Sequence, residues 1–372
     1  MKRFLIILLL FLLIPCKVYA LDSETYRDVI SEYDLSFFKD ELDGSSYDLL
    51  SELGLDDFDY GSLTSLSFMD IINVIKSISA EKIISPIKSM LSVMILIVLS
   101  ALFQSLKPDG DEEMSSVYST CTALVLSVVL TAQMSASITA AATSIKTAGS
   151  FIFAFIPVFF AIVVASGGIT TSFSTNSMLL MLSQGLSFIS ANIFMPLINC
   201  FLALGICSSL RKELNLDNLV NSLRKGITTL VSVISSLFIS ILSIKTSVSA
   251  RADVLGIRSL RFLINSVVPV IGGSVSEGLL SIQSYSSLIK SSVGIIGIIA
   301  IALLFLPSII EILLWRFVLS VSSLFSDVFG DGSVCATLRA FKDTALLINV
   351  VLILSMVTTV ISFGILIAAR TV

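Results

Sequence analysis

From Pro86 onward, apolar runs about as long as a bilayer is thick follow one another between short polar breaks, and this succession decides the fold class. A helix needs roughly 20 apolar residues to cross the hydrocarbon core. Only helices and closed barrels satisfy their backbone polar groups there. The runs read as helical spans at 88–106, 117–137, 150–166, 178–209, 227–249, 291–320 and 345–368. The piece 262–276 (FLINSVVPVIGGSVS) is short for a crossing and reads as a broken or re-entrant helix. The expectation is an all-α, polytopic membrane bundle of seven or eight segments. Composition agrees: 55% of residues are hydrophobic and 13% are charged. An ordinary soluble domain carries about 25% charged residues, so this chain has too few to clothe a water-facing surface.

The first part of the chain is different. Lys2 and Arg3 precede the apolar run Phe4 to Ile14, and Pro15 leads into a polar stretch ending Val18-Tyr19-Ala20. That order is the pattern of a signal peptide over residues 1–20, with a retained anchor as the alternative. Residues 21–82 hold 15 acidic and 4 basic residues, net −11, and so are expected on the water side, exported. Leu35, Phe37, Phe38, Leu42, Leu49, Leu50, Leu53, Leu55 and Phe58 are spaced like short amphipathic helices punctuated by Gly44 and Gly54. This segment is either an acidic docking face for a basic partner or a solvated cap with a small core. Ile71 to Ile84 interleaves isoleucines with Lys76, Glu81 and Lys82, as in an interfacial amphipathic helix. Residues 83–372 form the multi-pass domain.

Prolines expose a period within it. Pro86, Pro196 and Pro307 are 110 and 111 residues apart, and Pro157 and Pro269 are 112 apart. The expected repeat units are approximately 113–212 and 225–323, with a final span at 345–368. Repeats with proline-broken helices are a recurring transporter design, because broken helices free backbone groups that line a path. Orientation stays open. If the signal is cleaved and every segment crosses once, the acidic loop 107–115 is cytoplasmic and the basic loop 211–225 is external, against the positive-inside rule.

Several chemistries are excluded. With no His in the chain, His-based triads and imidazole metal ligands are ruled out. No G-x-x-x-x-G-K cradle occurs, so the chain is not expected to hydrolyse nucleotide itself. Net charge −4 speaks against a nucleic-acid partner. Cys16, Cys121, Cys200, Cys207 and Cys335 form no C-x-x-C pair and read as small packing residues. No catalytic, cofactor or metal residues are assigned, and the chain is not expected to be an enzyme. Charge at membrane depth costs at least ~2.5 kcal/mol on the insertion scale, so the charged residues inside spans are the candidates for function. These are Lys245, Glu311 and Arg316, the last two following Pro307. Their alternative reading is snorkelling beside an interfacial Trp315. A second group follows Lys245: Arg251, Asp253, Arg258 and Arg261 on a short connection, then Asn265, Pro269, Gly272 and Gly273 in the interrupted piece.

The run I-R-S-L-R-F-L-I-N-S-V-V-P-V-I-G-G at 257–273, following A-R-A-D at 250–253, the signal-like start and the acidic segment resemble the stage III sporulation protein AE family of endospore-forming bacteria. The resemblance is most specific over 225–300. It implies a polytopic protein of the mother-cell membrane around the forespore, within a channel or secretion complex that supports late forespore development. Implied partners are other stage III A proteins, including a cytoplasmic ATPase and ring-forming subunits, and indirectly the forespore-side channel protein. Membrane lipid and self-association complete the expected contacts. Three roles compete: a permease-like or export-gate component, a non-conducting scaffold that orients ring subunits, and a stand-alone transporter.

Overall fold

The computed structural model describes residues 44–55, 66, 68–105, 112–165, 177–210, 216–267, 272–329 and 332–368. Among these the fold is helical, with no strand. In chain order the elements are α1 (Gly44–Glu52), α2 (Phe68–Lys82), α3 (Ile84–Ser105), α4 (Glu112–Ala165) and α5 (Ser177–Ile189). A π-helical turn (Ser190–Phe194) then leads into α6 (Met195–Leu210), followed by α7 (Asp217–Val267), α8 (Gly272–Val328) and α9 (Gly332–Ala368). Among the described residues, six helical stretches are long and apolar enough to cross a membrane: Ile84–Leu102, Val117–Val164, Leu180–Leu210, Asp217–Leu255, Ser292–Val328 and Gly332–Ile365. The chain is a multi-pass membrane protein.

The expected spans 117–137 and 150–166 are one helix, α4, of 54 residues. The polar stretch between them, ITAAATSIKTAG, is rich in alanine, the best helix former, so it continues the helix where a loop was read. The break expected in 262–276 falls between α7 and α8, and Pro269 lies outside the described residues.

Helix directions follow from the contacts. Ser137 and Ser144 of α4 meet Glu311 and Ser308 of α8, so these two run antiparallel. Cys335 of α9 lies against Asp327 of α8, and Ile367 lies against Gly294, so α9 runs antiparallel to α8. Ser190 and Ser209 reach Ser355 and Thr337 respectively, which sets α6 antiparallel to α9. Helix α3 joins α4 by a short connection, with Ser89 against Gln133. Along α7, Arg224 lies by Arg316 and Asp253 by Lys290. Helices α3, α6 and α8 therefore point one way, and α4, α7 and α9 the other. The core is thickest along α8 and α9, where Phe305, Phe341 and Phe363 are fully buried. Phe155 packs between Phe159 and Phe363, with ring centroids 5.4 and 5.1 Å away. Gly297 lets α8 approach this aromatic column: a Cβ there would lie 2.9 Å from the Phe155 ring.

The N-terminal helices are docked on this bundle. Leu50 and Leu55 are fully buried in the common core, and Val74 and Ile78 of α2 join them. Helix α1 stops where Gly54 takes φ +67°, so that the Gly54 and Leu55 amides donate back to Ser51 and Leu50. Glycine closes helices this way because it has no Cβ to clash in the left-handed conformation. Its acids Asp48 and Glu52 remain exposed.

Candidate functional site

Serine is abundant in the spans, but many buried hydroxyls are spent locally. Ser127, Thr344, Thr359 and Ser362 each donate to the carbonyl four residues earlier in their own helix. Such back-bonding satisfies a hydroxyl without creating a polar path. The informative polar groups are those that reach between helices, and most of them gather at one height.

On α4, Gln133 accepts from Ser89 of α3. One turn on, Ser137 donates to Glu311 at 3.3 Å. Ser144 and Ser308 share a hydrogen bond of 2.7 Å. Arg316, a little over one turn past Glu311, faces Asp343 of α9 and Arg224 of α7. Arg224 and Asp343 pair at 3.2 Å, each about a third exposed. The antiparallel register of α8 and α9 brings Asn349 level with Glu311. Asn349 is fully buried, and neither side-chain oxygen nor nitrogen has a hydrogen-bond partner among the described residues. A buried amide left so costs on the order of 1–3 kcal/mol, and sites of this kind are explained by water, an ion or function.

Prolines alter the backbone hydrogen bonding at the same height. Pro307 has no N–H for the Leu303 carbonyl, and that carbonyl accepts instead from Ser46 Oγ of α1, at 3.5 Å. Pro196, which has no N–H, directly follows the π-helical turn Ser190–Phe194, in which the Met195 amide donates to Ser190 five residues earlier. Pro86 sits in the first turn of α3, where no donor is lost. Three helices of one direction thus carry a proline within about two turns of a common level. The two-unit repeat is not established by this arrangement.

The sequence-derived candidates divide. Glu311 and Arg316 stand in this layer, while Trp315 is buried in the core and is no interfacial anchor. Lys245, Arg251 and Arg258 are exposed on α7. Asp253 is buried and faces Lys290, whose ammonium burial pushes down to about 8. That pair lies some 20 residues along α8 from Glu311, or about 30 Å; the basic residues stand on helix α7 rather than on the connection expected there, and apart from the polar layer. Gly272 and Gly273 open α8; the side chains of Arg261 and Asn265, and Pro269 entirely, lie outside the described residues. Cys121, Cys200 and Cys207 are exposed rather than packed, and Cys335 is buried. Asn349, Asp343, Arg224 and Ser46 were missed. A lone amide in the run ALLINVVLIL was the available signal for the first.

Comparison with known proteins now adds to this geometry. The family model for stage III sporulation protein AE matches residues 55–370, which takes in both the polar layer and the basic connection. The chain belongs to that family. A stage III sporulation protein AE of Bacillus subtilis (strain 168) is 27% identical over 200 residues, covering 54% of this chain and 50% of the relative. The chain thus spans about half the length of the curated relative it matches. No solved structure matches. Membership makes this a stage III sporulation protein, and the six apolar helices place it in a membrane.

Proposed function

We propose that the protein is a permease-like or export-gate component of a sporulation-specific channel or secretion complex between mother cell and forespore, with the polar layer as its gate. The observation that carries this reading is Asn349, buried with no hydrogen-bond partner among the described residues, level with Glu311 and with the prolines Pro196 and Pro307. Broken helices and unspent polar groups are tolerated at membrane depth where they line a wetted path. The chain supplies no energy-yielding chemistry of its own. A cytoplasmic ATPase of the stage III A set would drive the complex, and ring-forming subunits would continue the path toward the forespore-side channel protein. The setting is the mother-cell membrane around the forespore. The exposed acids of α1, Asp48 and Glu52, favour a second reading, a scaffold that orients those subunits without conducting.

Flux through vesicles holding the protein alone, and with its partners, separates the readings. Partner-dependent flux that falls severalfold in Asn349→Leu is expected. Full assembly of the complex with no flux would leave the scaffold.

A further inference from the structure

Helices α4, α8 and α9 meet along one seam. A Cβ at Gly297 of α8 would lie 2.9 Å from the Phe155 ring of α4, and that ring packs on Phe363 of α9, centroids 5.1 Å apart. Glu311 stands 14 residues after Gly297, Asn349 14 before Phe363, and Ser137 18 before Phe155, in helices continuous over those intervals. At about 3.6 residues per turn these separations are close to whole turns. Glu311, Asn349 and Ser137 therefore return to the faces that meet at the aromatic column, and converge on the same seam further along. The hydrogen bond from Ser137 to Glu311 agrees with this placement.

With Glu311 ionised, the hydrogen bonds on this seam do not close. A carboxylate only accepts, whereas a carboxamide needs an acceptor for its N–H and a donor for its oxygen. Among the described residues Ser137 donates to Glu311, and both polar atoms of the fully buried Asn349 side chain lack a partner. The carboxylate can serve the amide N–H but leaves the amide oxygen bare. A protonated carboxyl offers one O–H and one C=O, the complement of both. Contacting helices stand about 8–10 Å apart, a gap that a glutamate and an asparagine side chain bridge together. The charged groups on the elements around Glu311 are otherwise engaged or outward. Arg316, Asp343 and Arg224 face one another, Lys82 pairs with Glu81, and Lys88 and Lys146 are exposed.

We propose that Glu311 and Asn349 form a proton-binding site that regulates the gate, a role that rests on the reading given above. As a carboxylate, Glu311 takes the Ser137 hydroxyl of α4. On gaining a proton from water in the layer, it turns to α9 and pairs with both ends of the Asn349 amide. Loss of the proton back to water returns it to Ser137. The protonated pair is neutral and satisfied without solvent, so the layer closes dry. The ionised state puts a bare charge and an orphan amide at membrane depth, which draws water in. Passage through the layer therefore grows as pH rises.

Infrared difference spectra of the full chain in membranes, between mildly acidic and mildly alkaline buffer, test the site without any flux. The expected signal is a carboxylic-acid carbonyl band that vanishes in Glu311→Gln and shifts in frequency in Asn349→Leu, where the acid loses its amide partner. No band that depends on Glu311, or one that Asn349→Leu leaves in place, would overturn the proposal. In vesicles with the partner proteins, flux is expected to rise severalfold from acidic to alkaline buffer. In Glu311→Gln, whose amide copies the protonated acid, it should be low and independent of pH. Flux in that variant that still follows pH, or wild-type flux that follows sodium instead, would also overturn it. A Glu311-dependent band that Asn349→Leu shifts, with no flux in any buffer, would uphold the proton site and remove the gate.

Discussion

At the residue scale, single atoms set what the bundle tolerates. A Cβ at Gly297 would press on the Phe155 ring, itself held between Phe159 and Phe363. Gly297→Val gains less than about 1 kcal/mol of helix propensity and loses ~1–3 kcal/mol to overpacking. A lowered thermal midpoint in detergent is expected. Gly364→Ala, with nothing within 4 Å of the added methyl, should be neutral or slightly stabilising in the same assay. Nothing in the sequence separated these two glycines, because the neighbour that matters lies about 140 residues away. The charged residues were more legible. Glu311 and Arg316 stood out as costly in an apolar run, but their spacing of five suggested no clear pair. Their actual partners, Ser137 for one and Asp343 for the other, come from distant helices.

At the element scale, hydropathy gave helices and their approximate places but misjudged where they stop. Helix α4 runs through a polar stretch because alanine sustains it. Helix α1 ends where Gly54 permits a left-handed turn, a stop that the sequence announced. Proline spacing pointed to Pro86, Pro196 and Pro307. It did not say that their helices run in one direction, which the contacts between helices establish. Pro307→Ala would restore the N–H that the Leu303 carbonyl lacks. Interior proline costs a helix ~3 kcal/mol or more, so this variant should raise the thermal midpoint. Spore yield should fall in the same variant if the break is used in gating. A rise in stability with unchanged sporulation would make the break incidental.

At the scale of the whole molecule, the chain is a tall bundle whose longest helix, α8, has 57 residues, or about 85 Å. A bilayer core of ~30 Å covers only part of that height. The sequence divides an acidic N-terminal segment from an apolar domain by composition, yet Leu50 and Leu55 pack into the core of the bundle. The central claim is that the layer of Ser137, Ser308, Glu311 and Asn349 is wetted. It is tested by cysteine at position 137, 308 or 349, in a chain otherwise free of cysteine, exposed in membranes to a small charged thiol reagent. Labelling at all three positions is predicted, with a control cysteine at the fully buried Phe155 staying inert. Positions 137, 308 and 349 as inert as 155 would contradict it.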